Sequence, residues 1–372
     1  MKKVLLGTSA LLGAGLVASP AFAADGIKLS LGGFFQTAIL YNVDDEKQGD
    51  AGHNKYDNGV FSDAEIYFLG KTTLDNGITV GTRVELEGEQ SGDQIDAAFV
   101  YFSGGFGEVR IGSQNSALGS ACVTPVGGTP NFGAISQDQI ANNIFAAGLV
   151  SSNFACNSFV GKSQKIVYVT PNFAGFQLNL SWTPNGAHES GGVTGFHSGM
   201  PAASDNEPRN VIDAYLNYSH DFDGWSIAWG GGGQWQASTG GQGNGKKFQN
   251  YQTGLNLTFG SFAIGGAFSY IVDGLQTAGQ ASNGDAWDAA AGMSYNIDAW
   301  TVGLQYAHTH ADDKAAGEAD LSANTVALTG KYDMGPGIAL DGTLQYTWGD
   351  PGGDLHNNYK SFAVGLGTAF TF

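Results

Sequence analysis

Charge is scarce in this chain: 13% of its 372 residues are Asp, Glu, Lys or Arg, where an ordinary soluble domain carries about a quarter. The charge present leans one way, with 34 acidic residues against 16 basic ones and a net −18. So acidic a chain argues against nucleic acid as a partner, since a phosphate backbone is bound by Lys and Arg. Long apolar runs are missing too. Beyond the first two dozen residues no segment offers about 18 consecutive apolar residues, so no membrane-spanning helix is expected. Proline is rare at 9 residues, while glycine reaches 58, a balance that disfavours helices because each interior glycine costs about 1 kcal/mol.

What is abundant is apolar and aromatic. Hydrophobic residues make up 42% of the chain, with 7 Trp, 14 Tyr and 23 Phe, which excludes disorder. The first residues have their own pattern: Lys2 and Lys3, an apolar stretch from Val4 to Val17, then Ser19 to Ala24 reading S-P-A-F-A-A. A basic start, an apolar middle and an A-x-A site describe a secretory signal peptide, expected over residues 1–23 and leaving 24–372 as the exported chain.

From there the sequence alternates. In F-Q-L-N-L-S-W, Phe176, Leu178, Leu180 and Trp182 share one side and Gln177, Asn179 and Ser181 the other. The segment from Ile338 to Trp348 puts Ile338, Leu340, Leu344 and Tyr346 opposite Asp341, Thr343, Gln345 and Thr347. A period of two is a β-strand signature, and about sixteen such segments run from 27–43 to 359–372, among them 63–75, 78–89, 94–104 and 108–115. Tight turns such as Asp75 to Gly77, Asp221 to Gly224 and Gly335 to Gly337 alternate with longer polar stretches at 44–62, 184–209, 238–246, 273–284 and 311–321. Short turns at one rim and long loops at the other describe an up-and-down barrel. A soluble β-sandwich also alternates, but 349 residues is large for one sandwich core. Trp182, Trp225, Trp300 and Trp348 at strand ends fit the aromatic girdles of a membrane barrel. The expected fold is all-β: a closed, antiparallel, transmembrane barrel bathed outside by outer-membrane lipid.

The chain resembles the Gram-negative general porins, of the alphaproteobacterial sort. The residues carrying the likeness are the signal peptide, G-G-F-F-Q from Gly32 to Gln36, T-R-V-E-L-E-G-E from Thr82 to Glu89, F-G-E-V-R-I-G-S-Q-N from Phe106 to Asn115, and the terminal Phe372. The resemblance implies a homotrimer of sixteen-stranded barrels whose third long loop folds into the pore. The terminal aromatic residue implies recognition by the barrel-assembly machinery. The candidate for that loop is 116–163, longer than an ordinary connection. It contains both cysteines, Cys122 and Cys156, and in an oxidising compartment they are expected to pair rather than remain free thiols.

Register aims the few arginines inward. With Val80, Val84 and Leu86 outward, Arg83, Glu85 and Glu87 face the lumen; Arg110 does so on the next hairpin, and Lys71 beside Glu65 and Tyr67. In the family a basic wall opposite an acidic loop makes a transverse field, which the resemblance suggests for Arg83 and Arg110. The alternative is internal ion pairing with Glu85 and Glu87, since inward charges need partners. Between Ser116 and Val160 the only carboxylate is Asp138, the candidate opposing charge.

Other groupings carry less chemistry. His308 and His310, followed by Asp312 and Asp313, suit either a divalent metal or a polar rim. Acidic clusters such as Asp44 to Glu46 suit loop-bound calcium or plain solvation, and no cofactor is otherwise expected. Gly230 to Gly233 lack the Lys-Ser/Thr of a phosphate loop and read as a strand without bulk packed closely against something. The expected function is passive diffusion of ions and small hydrophilic solutes, mildly favouring cations. A substrate-specific channel and a barrel enzyme are the alternatives.

Overall fold

A computed structural model describes residues 26–44, 57–88, 94–135, 156, 158–186, 209–236, 249–275, 284–312, 320–350 and 359–372. The signal-peptide expectation over 1–23 and the acidic cluster from Asp44 to Glu46, apart from the backbone of Asp44, lie outside these residues.

The strands are β1 (Lys28–Asp44), β2 (Asn58–Thr73), β3 (Thr79–Glu87), β4 (Ile95–Gly104), β5 (Gly107–Ser113), β6 (Gln164–Val169), β7 (Phe176–Asn185) and β8 (Arg209–Asp221). They continue as β9 (Trp225–Gln236), β10 (Gln249–Phe259), β11 (Phe262–Leu275), β12 (Gly284–Ile297), β13 (Trp300–Ala311), β14 (Leu321–Gly335), β15 (Ile338–Asp350) and β16 (Tyr359–Thr371). A short helix, α1 (Ala117–Ala121), follows β5. Each strand pairs antiparallel with its neighbours in sequence, and β1 pairs with β16, closing a sixteen-stranded barrel. Closure leaves no edge strand with unpaired backbone groups, which is the condition for a sheet in hydrocarbon. The seam is finished by the last residue: Gly33 and Phe372 exchange backbone hydrogen bonds of 3.0 and 3.1 Å.

The strand phases are those of the sequence pattern. On β15, Ile338, Leu340, Leu344 and Tyr346 are exposed while Ala339, Asp341, Thr343, Gln345 and Thr347 are buried. The burial is the reverse of a soluble core, with the apolar side open and the polar side covered. Ile39 and Leu366, at 61% and 67% exposed, would be costly in water at about 25 cal/mol per Å² but suit a lipid-facing wall. Rings mark both ends of that wall. At the short-turn rim Phe222 stacks on Trp225 at 4.2 Å and Trp300 lies 4.7 Å from Tyr332; toward the other rim Trp235 meets Tyr251 and Trp348 meets Tyr346. The tight connections run from even-numbered strands to odd ones, with Gly77 and Gly224 at φ +83° and +87° supplying the left-handed residue those turns need.

One boundary departs from the alternation. β2 begins at Asn58, not at 63, because the adjacent apolar pair Val60 and Phe61 breaks the period of two while the backbone still pairs with β1 through Tyr41↔Asn58.

Candidate functional site

The polar inner face is where chemistry can act, and the segment that follows β5 lies against it. Ser116 caps α1 by accepting a 3.2 Å hydrogen bond from the Gly119 amide. The next free amides are taken by the wall: Ala117 N–H donates to Ser181 Oγ at 3.0 Å and Leu118 N–H to Asp213 Oδ2 at 3.3 Å. Asp213 is fully buried and also accepts from Gln234 Nε2. Beyond α1 the chain crosses the inner face strand by strand. Val123 N–H donates to Tyr215 Oη, and Val126 N–H to Asn256 Oδ1, whose Nδ2 returns a bond to Thr124 O. Thr329 Oγ1 donates to Gly127 O at 2.6 Å, Asn131 N–H and Nδ2 both donate to Asp341 at 2.8 Å, and Ala134 N–H donates to Gln305 Oε1 at 2.9 Å. Residues 117–135 thus form a strap bonded to β7, β8, β10, β13, β14 and β15.

The wall beneath the strap is pared down to glycine. A methyl group at Gly254 would lie 1.9 Å from Val123 O, at Gly292 1.9 Å from Val126 O, and at Gly303 2.1 Å from Gly127 O. Gly365 lies under the Phe132 ring and Gly367 under Asn131. Of the Gly230 to Gly233 run, Gly230 belongs to this surface, since it abuts Val123 and the Tyr215 ring. Where the strap ends, Ala134 and Ile135 pack on Ala290, Ala307 and Ala327.

Three fastenings hold the roots of the loop. Cys122 and Cys156 form a disulfide with Cα atoms 5.7 Å apart, as the sequence led one to expect. Lys165 is buried and donates from Nζ to the carbonyls of Gln114, Gly161 at 2.9 Å and Ser163 at 2.5 Å. Ser113 Oγ donates to Lys162 O.

The strands β2 to β5 carry a cluster of charged side chains. Arg83 Nε lies 2.5 Å from Glu85 Oε1, with its guanidinium 4.1 Å from the centre of the Tyr67 ring. Arg110 pairs at 2.5 Å with Glu108 of its own strand and lies 6.0 Å from the Phe99 ring centre. Lys162, on the returning limb of the loop, bridges Asp96 and, at 3.5 Å, Glu85. Carboxylate oxygens of Glu65, Glu87 and Asp96 fall within 4.8 Å of one another. The pairing expected with Glu85 is present for Arg83, whereas Arg110 takes Glu108 rather than Glu85 or Glu87. Lys71 is separate, exposed near the end of β2 and paired in register with Lys28. Asp138 lies outside the described residues.

Sequence reasoning missed Lys162, Asp96, Glu108, Asp213 and Lys165. Glu108 had a signal, since it sits two residues from Arg110 and so shares its face. Lys162 and Lys165 had none, because their partners are set by where the loop returns. The histidines diverge: His308 Nδ1 lies 2.8 Å from Asn324 Oδ1, whereas His310 Nε2 lies 3.1 Å from Asp312 and 4.0 Å from Asp320. One imidazole and two exposed carboxylates are ordinary for a polar rim.

The family model for Gram-negative porins matches residues 7–351. The chain is 27% identical over 210 residues to a monosaccharide porin of a Halomonas species, a match covering 52% of this chain and 52% of the relative; the chain spans about half the length of the relative it matches. Among solved structures, the anion-selective porin of Comamonas acidovorans superposes with a TM-score of 0.58 at 20% identity, over 93% of this chain and all of that one. OmpT, an outer membrane protein of Vibrio cholerae in its trimer form, gives 0.58 at 13% identity over 94% of this chain and all of that one. A closed barrel with a largely polar inner face and a largely apolar outer one agrees with a family match along nearly the whole length: this chain belongs to the Gram-negative porins, proteins of the bacterial outer membrane.

Proposed function

We propose that the chain forms a water-filled channel through which ions and small hydrophilic solutes diffuse passively across the outer membrane. The observation that carries this is the closed barrel with a polar interior, because such a wall admits water where a packed core would exclude it. In this reading the loop 116–163 is the constriction, the strap its wall-bound limb, and Arg83, Glu85, Glu87 and Arg110, together with Lys162, the charges that solutes pass. Lys71 and Asp138 belong to the same set of candidate lining charges. No bond is made or broken; selection is by width and by the sign of the lining. Because Glu65, Glu85, Glu87, Asp96 and Glu108 outnumber Arg83, Arg110 and Lys162 there, the lining favours cations.

Residues 1–23 act as the export signal, lipid covers the outer face, the barrel-assembly machinery inserts the chain, and three copies associate, as the trimer form of the Vibrio protein suggests. Planar-bilayer conductance with a reversal potential in a salt gradient tests the channel: steady, non-saturating conductance and a cation-selective potential are expected, and a folded protein that never conducts rejects it. The name of the Halomonas relative favours a second reading, a channel selective for small sugars. Liposome swelling separates the two, since saturation with one monosaccharide would favour the selective channel.

A further inference from the structure

Glycine in a strand interior weakens it and usually marks a close approach of something else. Here inward glycines occur on β9 (Gly230), β10 (Gly254), β11 (Gly265), β12 (Gly292) and β13 (Gly303), five consecutive strands. Gly265 makes room for the Asn256 amide, 1.8 Å from where its methyl would lie, and that amide holds the strap at Thr124 and Val126. Gly254, Gly292 and Gly303 face the strap backbone itself. The strap answers in kind at its closest point: Gly127, at φ +106°, has its Cα 2.7 Å from where a Gly303 methyl would lie. Two outward-facing glycines of the same sheet show no such crowding. Gly330 has nothing within 4 Å of an added methyl, and Gly266 only an ordinary contact with Ala290 O at 3.5 Å.

We infer that Gly254, Gly292 and Gly303 are positioning residues that set the width of the lumen, by letting residues 123–127 lie flat against the wall rather than stand off from it. The inference rests on the channel reading above. A methyl group cannot share space with a backbone carbonyl at 1.9 to 2.1 Å, and the strand cannot retreat because its own ladder and the lipid lie behind it. The strap is the part that must move, and the space open to it is the lumen. Uncharged methyl groups would therefore alter permeation from beneath the lining, without contributing to it.

The test is single-channel conductance of the purified full chain in planar bilayers, with G254A, G292A and G303A set against G266A and G330A. Each inward variant is expected to conduct about 1.5-fold less, as a narrower lumen requires, and the two controls to match the parent. Retention of the heat-resistant barrel band on electrophoresis shows that the wall itself survives. Should a glycine variant not assemble, T329V serves instead: it removes the hydroxyl that holds Gly127 O while keeping the side chain's volume, and the loosened strap should lower conductance in the same direction. Inward variants, or T329V, with parental or greater conductance in an intact barrel would overturn the inference. A parent protein that folds but never conducts would instead reject the channel reading on which it rests.

Discussion

The strap-bearing wall and the charged wall solve the same problem by opposite means. Along β9 to β16 the inner face is mostly glycine, alanine and uncharged amide or hydroxyl groups, with Asp341 engaged by Asn131 and Asp288 by Ser269 and Thr309. Along β2 to β5 it is Tyr67, Arg83, Glu85, Phe99, Tyr101 and Arg110. One wall is filled by a second layer of chain, and its strand side chains shrink until backbone meets backbone. The other is filled by its own long side chains, whose charges neutralise one another over 2.5 Å contacts. The lesson is that size and charge on an inner wall are set by what lies in front of it, which explains why each strand is regular in phase and yet the barrel is lopsided in composition.

The sharpest way to break this contrast is to unfasten the strap. The disulfide spans 34 residues, and losing that constraint in C122S/C156S should cost up to about 4 kcal/mol in the chain-entropy account, seen as a lower urea midpoint in detergent. An unchanged midpoint would mean that the strap is held by the wall alone. Removing the buried acceptor comes next. D213A leaves the Leu118 amide and the Gln234 amide group without their carboxylate, so a loss of about 3 kcal/mol is expected, together with altered conductance because the start of the strap is released. On the charged wall, R83A should leave stability nearly as it was and shift selectivity. With one positive charge gone and Glu85 kept, the cation-to-anion permeability ratio should rise about twofold at 0.1 M salt. That effect should fade toward 1 M as the screening length falls from about 10 to about 3 Å, and a reversal potential moving toward anions would contradict the assigned lining. The smallest effect belongs to neither wall: H310A, at the exposed rim, should change stability by no more than about 0.5 kcal/mol and conductance not at all.

Much of this is legible in the sequence alone, and the boundary of legibility has a physical meaning. The strands, their phase, the closed barrel and the inward aim of Arg83, Glu85 and Arg110 all follow from a side chain alternating across its strand, a relation between neighbours in sequence. The cysteine pair was legible because only two cysteines exist and export oxidises them. The Gly230 to Gly233 run announced a close approach without naming its partner. Val123 could not be named, since it is remote in sequence and arrives only when the strap crosses β9. The start of β2 was hidden for a smaller reason, two adjacent apolar residues, Val60 and Phe61, that interrupt the alternation.

By itself the sequence determined which side of most strands is apolar and which is polar, because that distinction is written at a spacing of two residues and needs no knowledge of any other strand. Only the tertiary structure decided which polar groups satisfy which: that Asp213 takes the amide of Leu118, that Lys162 crosses to Glu85 and Asp96, and that glycines on five strands make a bed for the strap. Those pairings join residues far apart in the chain. They come into existence only when closure of the barrel fixes the distance across it, and no local pattern carries that distance.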